Sequence, residues 1–146
     1  MTTQKTQPLV ISRVFSIDTP QLFQAWSDPA VMEKWLFPFP AGGSVDVENT
    51  FEVGGTYHLD MHTPDGEVYT MTGEYREIIP NRKIIFTWNT TQVQETVVTV
   101  EFTPVEEGTK LSLTHDLFPD ADARQQHTDG WEDCLANLEK SVVQVA

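Results

Sequence analysis

The chain has 146 residues, 39% of them hydrophobic, and its 9 Lys and Arg against 22 Asp and Glu give a formal net charge of −13. That length buries a core without staples, the one cysteine excludes an internal disulfide, and the lack of any basic run argues against nucleic acid or an anionic membrane surface as partner. No stretch approaches the roughly 20 apolar residues of a membrane span, and the opening MTTQKTQPLV lacks the cationic and apolar regions of a signal peptide, so a cytoplasmic globular protein is expected.

After a polar terminus expected to fray over residues 1–7, Leu9, Ile11, Phe15 and Ile17 alternate with Val10, Ser12, Val14 and Ser16. A period of two predicts a strand. Asp18 or Thr19 ahead of Pro20 is a helix start, a capping oxygen followed by proline in the first turn, and Leu22, Phe23 and Trp26 follow at helical spacing. Asp28 before Pro29 repeats the device ahead of Val31, Met32, Trp35 and Leu36. From Gly42 onward, segments near 44–50, 55–63, 66–79, 82–90, 94–104 and 109–117 are rich in β-branched and aromatic residues. Reversals such as TPDG (63–66), IPNR (79–82) and EEGT (106–109) separate them. Strands in unbroken succession predict an antiparallel meander. Residues 121–143 then read as one long helix. The order predicts an α+β fold, a curved antiparallel sheet wrapped around the C-terminal helix with two short helices closing one end. No repeat or linker marks a boundary, so residues 1–146 are expected to form a single domain.

On a helical wheel, Trp131, Leu135, Leu138, Val142 and Val145 share one arc, and Gly130, Cys134, Asn137 and Ser141 form a strip of small or polar side chains beside it. Glycine inside a helix costs roughly 1 kcal/mol relative to alanine. Two explanations of Gly130 are open: a strand packs closely against the strip, or the strip fronts a cavity for an apolar ligand.

Candidate contact residues for such a ligand are Tyr57, Met61, Met71, Trp88 and Trp131, drawn from an aromatic and methionine set that includes Tyr69, Tyr75 and Phe86. His115 shares a strand face with Leu111 and Leu113, and His127 sits one turn before Trp131. Both are candidate polar anchors, or an acid and base near neutral pH. His58, Asp60 and His62 alternate on the strand face opposite Tyr57, Leu59 and Met61, so a solvated stripe is expected there rather than a metal site. Cys134 has no adjacent cation to activate it. Neither a phosphate-binding glycine loop, a dinucleotide fingerprint nor a nucleophile elbow is present, so no cofactor is expected.

The segments FSIDTPQLFQAWSDPAVMEKWLFP, FEVGGTYHLDMHTPDG, GEYREIIPNRKIIFTW, VVTVEFTP, GTKLSLTH and HTDGWEDCLANLEKSV, in that order, resemble the SRPBCC or START-like superfamily. More narrowly they resemble its branch named for activators of the heat shock protein 90 ATPase. The resemblance implies the helix-grip fold with a deep pocket between sheet and helix. It also implies an apolar small molecule as ligand, with a cyclase- or hydrolase-type enzyme as one alternative. A chaperone-assisting module is the other, although the extra N-terminal domain of the eukaryotic co-chaperone behind the branch name is not expected within these 146 residues.

Overall fold

The computed structural model describes residues 7–36, 44–90 and 93–143. The chain runs β1 (Leu9–Phe15), α1 (Thr19–Gln24), α2 (Pro29–Trp35), β2 (Ser44–Asn49), β3 (Thr56–His62), β4 (Val68–Ile79), β5 (Lys83–Trp88), β6 (Thr96–Val105), β7 (Gly108–Asp116) and α3 (Ala121–Val143). Residues 1–6 of the terminus expected to fray, the Gly42–Gly43 pair and Val145 lie outside the described residues, as does the side chain of Val142.

Each helix starts on an aspartate that offers its carboxylate to a backbone N–H left over in the first turn. Asp18 accepts from Gln21 N at 3.1 Å, Asp28 from Ala30 N at 3.0 Å and Asp120 from Ala123 N at 2.8 Å. Proline at the first turn of α1 and α2 sits where its missing N–H is not needed. The reversals follow their turn chemistry as well. In TPDG, the Gly66 amide donates to Thr63 O at 3.1 Å with Gly66 at φ +92°. In IPNR, Pro80 precedes Asn81 at φ 63°, and Arg82 N closes onto Ile79 O at 2.9 Å.

The strands form one curled, antiparallel, seven-stranded sheet in the order β1-β7-β6-β5-β4-β3-β2. Six strands follow one another as hairpins, and β1 pairs beside β7 with Leu9 opposite His115 and Phe15 opposite Thr109. The helices close the two open margins of the sheet. Glu33 of α2 accepts from Val47 N on β2 at 2.9 Å, and Arg13 of β1 pairs with Glu139 of α3 at 2.8 Å. Between sheet and helices lies an apolar core that includes Phe15, Trp35, Leu111, Leu113, Leu135 and Leu138. Among the described residues, no helix is long and apolar enough to cross a membrane.

One irregularity in the sheet shapes its inner face. The β4–β5 ladder opens between the Thr72–Asn89 bridge and the Tyr75–Phe86 pair. There the Thr87 carbonyl accepts from the Tyr57 hydroxyl, and the Glu74 amide donates to Thr87 Oγ1 at 2.9 Å. Tyr57 stands opposite Gly73 across β3 and β4 and leans over it to reach β5. Only glycine permits this, because a Cβ at position 73 would lie 1.9 Å from Thr87 O and 2.5 Å from the tyrosine ring. A bulge follows immediately, the register shifting between Tyr75 and Glu77, which bends β4 and adds to the curl.

Gly73→Ala should therefore destabilise the protein by about 2 kcal/mol or more, since the obstructing atom is backbone and cannot swing aside. Tyr57→Phe, which leaves a buried carbonyl without its donor, should cost about 1–3 kcal/mol. Urea unfolding followed by circular dichroism checks both, and near-neutral values would contradict this account of the sheet.

Candidate functional site

A cavity of about 290 Å³ opens between the β3–β5 end of the sheet and α3. Among the described residues its sheet side is Met61 on β3, Tyr69, Thr70 and Met71 on β4, and Trp88 and Thr90 at the end of β5. Its helix side is two adjacent rows at a spacing of four: Gln126, Gly130 and Cys134, and beside them His127 and Trp131. Met61 faces Tyr69 across the strands and Leu59 faces Met71, so the alternation of β3 and β4 delivers both methionines to this face.

Gly130 resolves into a structural fact. A Cβ built there meets nothing within 4 Å, so its missing side chain is not explained by a strand packed against it. The small strip then divides in two. Gly130 and Cys134 border the cavity, whereas Asn137 and Ser141 dock on α2. Asn137 Nδ2 donates to Lys34 O at 3.1 Å and to Trp35 O at 3.3 Å, supplying donors to carbonyls orphaned at a helix end.

Behind the cavity wall runs a chain of hydrogen bonds. The Trp131 indole donates to His115 Nδ1 at 3.0 Å, His115 Nε2 bonds Thr96 Oγ1 at 2.9 Å, and the Thr96 hydroxyl donates to the Trp88 carbonyl at 2.6 Å. An indole N–H only donates, so Nδ1 must keep its lone pair and the proton belongs on Nε2. Both nitrogens are thus engaged, and the ring is fully buried. Burial, with a smaller contribution from the His127 ring nearby, pushes the His115 pKa from 6.5 down to about 3. A second proton would also have to break the Trp131 bond.

His127 differs. Its Nδ1 lies 2.8 Å from the Ala123 carbonyl, which can only accept, so Nδ1 carries the proton and Nε2 presents a lone pair. Partial burial lowers its pKa, partly opposed by the Ala123 bond. The His127 ring is 5.2 Å from His115 and 5.1 Å from Phe118, centroid to centroid.

Of the residues singled out in the sequence, Met61, Met71, Trp88, His127 and Trp131 therefore line the cavity, while Tyr57 and His115 stand behind it. Tyr57 borders instead a separate interior space of about 20 Å³, divided from the cavity by Trp88 and Trp131, whose centroids are 5.3 Å apart. Thr70, Thr90 and Gln126 escaped sequence reading. Gln126 was findable, being one turn before Gly130 in the same row. On the outer face, His62 pairs with Asp46 at 2.8 Å, and Asp60 lies 3.5 Å from His58 and accepts from Thr70 at 2.8 Å.

The curled antiparallel sheet, the two short helices after the first strand and the long C-terminal helix define a helix-grip protein. Residues 18–142 match the family model described as Activator of Hsp90 ATPase homolog 1-like protein, and the chain belongs to that family, consistent with the SRPBCC superfamily. A solved protein of Chromobacterium violaceum is 27% identical, with a TM-score of 0.84 over 94% of this chain and 98% of its own. One from Rhizobium leguminosarum is 26% identical, with a TM-score of 0.80 over 97% and 99%. The AHSA1 protein of Silicibacter pomeroyi, 23% identical, shares the fold at a TM-score of 0.82 over 95% and 99%. No protein of curated function matches the chain significantly.

The state of His115 fixes a pH dependence. Above pH 6.5 neither the folded nor the unfolded imidazole takes the extra proton, so stability does not vary through it. Below that, the unfolded chain binds a proton that the folded chain refuses until about pH 3. Stability should fall with a slope approaching 1.4 kcal/mol per pH unit from this group, and His127 adds to the loss in the same direction. In His115→Gln the decline between pH 6.5 and 4 should flatten by close to one proton, measured by urea unfolding across that range. An unchanged slope would contradict the assignment.

Proposed function

We propose that the protein is a single-domain cytoplasmic binding protein that holds an apolar or aromatic small molecule in the cavity between the sheet and α3. The observation that carries this reading is the open volume in front of Gly130, at a helix position where alanine would be sterically free. A helix that forgoes roughly 1 kcal/mol of propensity beside an empty volume is explained if that volume is used. The cavity's 290 Å³ stands at the small end of ligand sites, roughly 300–1,000 Å³, and suits a molecule of one or two rings. Met61 and Met71 offer adaptable contact, and Trp88 and Trp131 offer indole surface. His115 and Tyr57 serve this site from behind, by holding its walls.

The same cavity would serve an enzyme of the cyclase or hydrolase sort, in which His127 is the histidine able to act as base. A bell-shaped pH–rate profile lost in His127→Gln is its signature. A chaperone-assisting role is favoured only by the family's description; co-purification with the heat shock protein 90 chaperone checks it, and no association counts against it.

Two substitutions at one position test the binding reading. Gly130→Ala should raise stability by about 0.5–1 kcal/mol, since it improves helix propensity and meets no neighbour. Gly130→Leu should fill the volume. Hydrophobic compounds that raise the melting temperature of the wild type should no longer do so in Gly130→Leu, with far-ultraviolet circular dichroism unchanged. Equal shifts in both proteins would place binding elsewhere.

A further inference from the structure

The polar groups of the cavity narrow the chemistry of its ligand. Among the described lining residues there is neither lysine nor arginine, so an ionised carboxylate entering this volume would lose water without gaining a cation. The whole chain, at a formal −13, opposes its approach as well. The polar groups present are the hydroxyls of Tyr69 and Thr90, the Gln126 amide, the Cys134 thiol and the His127 imidazole, the Thr70 hydroxyl donating instead to Asp60 on the outer face. Tyr69 already donates to Glu67 at 3.3 Å, and the Thr90 hydroxyl oxygen accepts from Val93 N at 3.1 Å.

His127 is the distinctive member. The Ala123 carbonyl fixes the proton on Nδ1, which leaves Nε2 as an acceptor on the ring edge turned away from that backbone bond. None of the described residues donates to it. Its ring is held by neighbours on several sides, with Trp88 at 6.3 Å, His115 at 5.2 Å and Phe118 at 5.1 Å between centroids, so the acceptor has a set position. Burial keeps the ring neutral near pH 7 and preserves the lone pair.

Resting on the cavity reading, we infer that the site selects a neutral cyclic ligand bearing a hydroxyl of the phenol or alcohol type, which donates to Nε2 of His127 while its ring lies against the indoles of Trp88 and Trp131. Ethers of the same shape lack the donor. Carboxylates of the same shape bring an acceptor to an acceptor.

The test uses three probes of one shape, 4-ethylphenol, 4-ethylanisole and 4-ethylbenzoate, titrated at pH 7.5 by calorimetry into the full chain. The phenol should bind at least about tenfold tighter than either of the others, a hydrogen bond to a buried acceptor being worth that much. In His127→Phe the ratio of phenol to anisole affinity should fall below about threefold. Nitrogen NMR of the wild type gives a readout independent of any variant: Nε2 should be of the unprotonated type and should shift on adding phenol. Equal affinities for phenol and anisole, tighter binding of the benzoate, a ratio unchanged in His127→Phe, or a protonated Nε2 would each overturn the inference while leaving the cavity reading intact. Binding of none of the three would overturn both.

Discussion

The hydrogen-bonded run from the Trp131 indole through His115 and Thr96 to the Trp88 carbonyl ties α3 to β7, β6 and β5 at the place where the cavity begins. Each bond is neutral and contributes about 1 kcal/mol net, but each broken one would leave a buried polar group costing about 1–3 kcal/mol. The run therefore acts mainly as a constraint. It fixes a tautomer, and it holds two indoles 5.3 Å apart that form the partition between an open cavity and a nearly filled interior. Trp26 continues the aromatic row inward, 6.0 Å from Trp131 and 4.7 Å from Trp35.

Two histidines 5.2 Å apart thus have opposite duties, and their partners decide which. His115 is bonded at both nitrogens and fully enclosed, a structural imidazole that supports the wall. His127, which borders the cavity, is bonded at one nitrogen by its own helix and keeps a lone pair on the other. The sheet follows a similar rule. Tyr57 donates its hydroxyl to the Thr87 carbonyl across Gly73, which ties β3 to β5 behind Trp88, 6.4 Å from the Tyr57 ring.

Most of the fold was legible because local chemistry and global arrangement agree. Aspartate caps, first-turn prolines and TPDG-type reversals mark their elements, and β-strand parity delivers Met61 and Met71 to one face. The opened β4–β5 ladder was not legible, since Gly73 in an otherwise ordinary strand carries no sign of the tyrosine that leans across it. The site was legible only to the resolution of a face. Strand parity and helix phase bring His115 and His127 together, but neither tells that Trp131 and Thr96 occupy both nitrogens of the first. Those partners lie on other elements, 16 and 19 residues away. The small strip of α3 looked uniform in sequence, yet Asn137 and Ser141 meet the carbonyl end of α2 while Gly130 meets open space. Where a second element lands along a helix cannot be read from that helix alone.

A crystal soaked with small neutral aromatic fragments tests the central claim most directly. The account predicts density for a fragment in front of Gly130, against the faces of Trp88 and Trp131, with the Trp131–His115–Thr96 bonds undisturbed. It is contradicted if the side chains of Met61, Met71 or Gln126 already fill that volume and fragments settle only on other surfaces.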